Sequence, residues 1–309
     1  MGRILNVVAR PRSQAARAYR TWVGLAPDAI APGIAPSPGH DLVDHGGRTF
    51  PSLDYVSFFL GGSGQWSASD VKAIDAALAG AMTDPGLNEI MGQYFGGKPP
   101  TTSPHQSQVL AVQPPRRTDK TAVERIVAQL QSGGHLSQLD RSRTVVNLML
   151  PAGTVLSDSG GAQKRQGLDE EAADSLHGLG GFHGSLHLGG GVTYYAVGVF
   201  SQRLNGGQEN GIVAFDEPWK NVVATFYHEL NEARTDADVE DAIRAGDDPK
   251  ADALLGWTSA QGFEVGDFPV FEAGTDLGLV FKEVRLGAGG TAPIQLMWSN
   301  RVHGPEAPS

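Results

Sequence analysis

The hydrophobic pattern changes period several times along the chain. LDYVSFFL, at 53–60, is a nearly continuous apolar run bounded by glycines and predicts a buried strand. Ser67 or Ser69 can cap the helix that follows, in which Val71, Ile74, Ala77 and Leu78 recur at helical spacing. Further helices are predicted at 86–93 and 119–131, the second with Val123, Ile126, Val127 and Leu130 on one face. The strand pattern returns in RTVVNLML, 143–150, so strand, helices and strand imply a parallel pair joined by a helical crossover. A strand at 192–200 precedes a helix at 218–234 that opens on Pro218. Its stripe of Val222, Val223, Phe226, Leu230 and Ala233 predicts a half-buried helix. After residue 250, glycine turns alternate with short strands such as LGLVFKEVRL and APIQLMW. This pattern predicts an α+β or α/β fold.

Composition narrows the class. A chain of 309 residues suits one large domain or two tightly joined ones, and 41 Gly with 19 Pro argue against a helical bundle. Residues 1–48 read as an arm. A short helix is expected at 13–23, and Pro27, Pro32, Pro36 and Pro38 then make an extended strap. Residues 49–309 are expected to form a single α+β domain, or to divide into lobes at 49–156 and 157–309. The polar stretch 157–175 reads as a surface loop. A net charge of −10 opposes general nucleic-acid binding. The absence of cysteine excludes disulfides, thiolate metal sites and a cysteine nucleophile. No apolar run is long enough for a membrane-spanning helix, and a cytoplasmic location is expected, or a secreted one if an export signal has been removed.

Chemistry concentrates in VVATFYHELNEARTDAD, 222–238. His228 and Glu232 are four residues apart and share a helix face, so both can reach one divalent ion, while Glu229 lies beside them. This is the HExxH metalloprotease arrangement with Glu232 in the place of the second histidine. The expected cofactor is Zn²⁺ or another divalent cation held by His228, Glu232 and Asp238. Glu229 is the expected general base, acting on a water whose pKa the ion lowers toward about 7. Thr235 is expected to end the site helix and, with Asp238, to cap the next one, bringing Asp238 back six residues after Glu232. Asp236 competes for the same place, and Glu264 and Asp267 in GFEVGDF are an alternative acidic pair, against a simpler role in capping turns.

YHELNEARTDAD, with LLGWTSAQGFEVGDF, QLMWSN, SFFLGGSGQW and GFHGS, resembles the phosphate-induced protein and EXORDIUM-like family over roughly residues 50–300. The resemblance implies a zincin-like metallohydrolase fold with a mixed sheet and an active-site helix. It also falls on His183, which is then expected to complete the metal shell or to stabilise an oxyanion. His187, four residues on, reads as a solvated loop residue. The chain departs from plant members of that family in lacking cysteine. The expected function is a metal-dependent hydrolase acting on a peptide or amide bond, with a peptide or small-molecule substrate. The alternative is a non-catalytic, zincin-like binding module for a carbohydrate, peptide or protein partner.

Three further features are weighed. GGSG at 61–64 lacks the Lys-Ser/Thr of a phosphate loop and reads as a tight turn. Met297 reads as core, with a place beneath the metal site as the alternative. No GxSxG nucleophile elbow occurs.

Overall fold

The computed structural model describes residues 7–10, 14, 34–160, 174–246, 248 and 250–308. Its main sheet contains β1 (Val7–Ala9), β2 (Ser52–Leu60), β3 (Thr101–Pro104), β4 (Gln108–Leu110), β5 (Thr144–Met149), β6 (Leu179–Leu188) and β7 (Gly191–Gly198). The order is β1-β6-β7-β5-β2-β3, with β4 also paired to β2. β7, β5, β2, β3 and β4 pair in parallel, whereas β1 and β6 add antiparallel to one side. Six α-helices accompany this mixed sheet among the described residues: α1 (Ala68–Thr83), α2 (Pro85–Met91), α3 (Lys120–Ser132), α4 (Pro218–Thr235), α5 (Val239–Ala245) and α6 (Asp267–Ala273). A hairpin of β8 (Phe281–Arg285) and β9 (Thr291–Gln295) packs on α4.

The first half of the chain follows its periodicity. β2 and β5 are adjacent and parallel, with Val56 opposite Val146 and Phe58 opposite Leu148. The intervening helices begin where their caps predict, because Ser67 accepts from the Asp70 amide and Asp119 from that of Ala122. In the turn after β2, the amides of Gly61 and Gly62 donate to the carbonyls of Val112 and Leu110, so they serve backbone pairing rather than an anion.

Two expectations change. β6 is a ten-residue strand that takes in His187, expected to lie in a loop. A Cβ on Gly181 would lie 2.5 Å from the Val197 carbonyl and 3.1 Å from Glu229 Oε1, so the missing side chain lets α4 sit close against the sheet. The site helix is also not half-buried. Every residue from Asn221 to Thr235 is buried, because α1, the β8–β9 hairpin and strands β6 and β7 all pack on it.

The segment read as an arm is joined to the body by strand pairing, β1 with β6 and Leu42–Asp44 with Trp257–Ser259. β5 and β7 are neighbours in one sheet, so pairing runs across the division expected at 156/157. The helix expected at 13–23, residue 14 apart, most of the strap and the centre of the 157–175 loop lie outside the described residues. No described helix is long and apolar enough to cross a membrane.

Candidate metal centre

Four elements bring the candidate residues together. His228, Glu229 and Glu232 come from α4, and His183 from β6. Glu264, Gly266 and Asp267 form the entry to α6, and Gln295 ends β9. Side chains alternate along β6, so His183 shares the face of Gly181 and Ser185, toward α4. His183 is 1% exposed, and His228, Glu229, Glu232 and Glu264 are all 0% exposed, so these ionisable groups lie inside the protein and not on an open concave surface.

The geometry is that of converging donors. His228 Nε2 is 3.0 Å from Glu232 Oε1. His183 Nδ1 is 3.3 Å from Glu229 Oε2 and 3.7 Å from Glu232 Oε2, and its Nε2 is 3.6 Å from Glu264 Oε1. Donors bound tetrahedrally at about 2.1 Å from a zinc ion sit about 3.4 Å apart, the same range. His228 Nε2, Glu229 Oε1, Glu232 Oε2 and both carboxylate oxygens of Glu264 are buried without a hydrogen-bond partner.

Gln295 fixes what His228 presents to the cluster. Its Nε2 donates to the Gly266 carbonyl at 2.6 Å, which a carbonyl can only accept. Its Oε1 therefore accepts from His228 Nδ1–H at 2.9 Å, leaving the His228 Nε2 lone pair facing Glu232. Glu232 Oε1 also accepts from the Gly266 amide at 3.2 Å. Two acceptors 3.0 Å apart in a dry interior repel unless a cation or a proton lies between them. Gly266 must be glycine here, since a Cβ would lie 2.4 Å from His228 Nδ1.

Burial sets the charge states. Desolvation, then the nearby His228, pushes the His183 pKa down to about 3, so its contact with Glu229 is a hydrogen bond and not an ion pair. Desolvation lowers His228 too. Glu229, Glu232, Glu264, Asp236 and Asp267 are all pushed well up, chiefly by burial, and in each case except Glu232 also by neighbouring carboxylates.

Asp238, the expected third ligand, is not in the cluster. It accepts from Tyr194 Oη at 2.6 Å and pairs with Arg48 at 3.4 Å. Thr235 is the last residue of α4 and its hydroxyl donates back to the Asn231 carbonyl, so it does not cap the next helix. Both follow from the chain turning away after the helix, which points Asp238 toward Tyr194 of β7 and Arg48. Asp236 is buried nearby and accepts from the Gly256 amide. Asp267 caps the turn through the Glu264 amide, at 2.9 Å, while the Glu264 carboxylate faces His183 in the cluster. His187 lies on the same face of β6 as His183 but bonds Asp241 at the surface. Met297 belongs to the hydrophobic core. Sequence reasoning missed Gln295 and Gly266. The one signal for Gln295 was a polar residue within the apolar run APIQLMW.

No family model matches the chain, and neither the curated proteins nor the solved structures contain a significant match.

Proposed function

We propose that the chain is a metal-dependent hydrolase of zincin type, with a divalent ion held between His228 and Glu232, acting on a peptide or amide bond. The observation that carries this is the tautomer set by Gln295, which aims a buried lone pair at the Glu232 carboxyl group, 3.0 Å away, where a shared cation would sit. The residues fit such an ion: imidazole and carboxylate are the donors that divalent zinc accepts, and the orphaned atoms are those a cation would satisfy. When bound, the ion would polarise a carbonyl and make nearby water more acidic. The resemblance of HELNE to the family segment supports the same reading.

Glu229 supplies the acid–base chemistry. One residue from His228, it is turned about 100° around the helix. Its Oε2 is held at 3.3 Å by His183, while Oε1 has no partner and is free to take a proton from attacking water. Burial, and then the neighbouring Glu232, raise its basicity. His183 positions that carboxylate.

The test is Glu229→Gln, which keeps size while removing the base. The variant should fold, keep its metal and lose about 10²–10⁴-fold of its rate on a quenched fluorescent peptide library. Undiminished turnover would remove Glu229 from the chemistry. Glu232 favours a second reading, a metal-bearing binding module, because a carboxylate in place of a histidine leaves the ion less electrophilic. Metal-loaded wild-type protein that cleaves nothing in the library would support it.

A further inference from the structure

Resting on the proposed ion at His228 and Glu232, we infer that the cluster holds a second divalent ion, bound by His183, Glu264 and the other carboxylate oxygen of Glu232. The donor atoms fall into two overlapping groups, each within 4.8 Å: His228, Glu229 and Glu232, and His183, Glu232 and Glu264. Glu232 belongs to both, and its two oxygens face different ways. Oε1 lies 3.0 Å from His228 Nε2, whereas Oε2 lies 3.7 Å from His183 Nδ1 and has no hydrogen bond. A carboxylate placed so bridges two ions about 3.5–4 Å apart, the spacing of two-metal hydrolytic sites.

Glu264 is the independent pointer. Its backbone amide is taken by Asp267, yet both its carboxylate oxygens are fully buried and without partners, one of them 3.6 Å from His183 Nε2. An ion at His228 does not explain it, because Glu264 groups with His183 and not with His228. Charge points the same way. Glu229, Glu232, Glu264, Asp236 and Asp267 put five carboxyl groups in one buried region. Each carboxyl that gives up its proton to bind an ion needs positive charge beside it, and one dication offsets two of them while a pair offsets four. The donors are nitrogen and oxygen only, suited to Zn²⁺ or Mn²⁺.

The experiment strips the full chain with a chelator, dialyses it against Zn²⁺ and measures zinc per chain by elemental mass spectrometry. Two equivalents are expected for wild type, and one for Glu264→Gln. His183→Gln should also hold one, and serves if the first variant does not fold. One equivalent in wild type overturns the second ion and leaves the first standing, while none overturns both. Two equivalents retained in either variant overturn the ligand assignment. A measurement on unaltered protein needs no variant: with Mn²⁺, two bridged ions give an exchange-coupled paramagnetic resonance spectrum, and an isolated-ion spectrum overturns the pair.

Discussion

Gly266→Ala tests whether the loop before α6 is shaped around His228. The added Cβ would lie 2.4 Å from Nδ1, 2.5 Å from Cε1 and 2.9 Å from Cγ of the ring, about 1 Å inside ordinary contact. The backbone at Gly266, φ −93° and ψ −21°, is open to alanine, so the clash and not strain opposes the change. Replacing glycine removes unfolded-state freedom and favours folding by about 0.4–1 kcal/mol. Overpacking a filled interior costs about 1–3 kcal/mol, so a net loss of about 1–2 kcal/mol is expected. The ring can yield only by breaking its 2.9 Å bond to Gln295, or the loop by moving the amide that Glu232 accepts. Either displaces a proposed ligand, and metal affinity should fall about 10–100-fold. The assay is urea unfolding of the metal-free protein, followed by zinc titration. Gly64→Ala is the control, since nothing lies within 4 Å of its Cβ, and it should change neither quantity. A Gly266→Ala protein with the wild-type midpoint and affinity would refute the packing argument.

Three other outcomes follow from the same geometry. Gln295→Leu removes the acceptor for His228 Nδ1 and should weaken zinc binding about 10–100-fold by titration, with unchanged affinity showing that the tautomer is set otherwise. Asp238→Asn should leave zinc per chain unchanged while costing about 1 kcal/mol through the altered Tyr194 and Arg48 contacts, whereas metal loss would return Asp238 to the ligand set. Zinc at 100 times its dissociation constant should stabilise stripped protein by about 2.7 kcal/mol per site, read as a rise in melting temperature that a chelator reverses; no rise would argue against a folded-state metal site.

The sequence by itself determined the parts whose signals are local. The parallel β2–β5 pair, the capped helices between them and α4 were legible because strand and helix periods, Ser67, Asp119 and Pro218 act on their own neighbours. His228 and Glu232 were legible as a pair because four residues is one helical turn. The placing of His187 in a loop failed at β6, a strand in which Gly181 leaves room for the close approach of α4, an element distant in sequence. Asp238 misled because the path of the chain after a helix end is decided by what it packs on, here Tyr194 and Arg48. Only the tertiary structure could bring His183, Glu264 and Gln295 to α4, from 45 residues before His228 to 67 after it. A buried polar cluster is held by partners on separate elements, and no periodicity within one element records which partners those are.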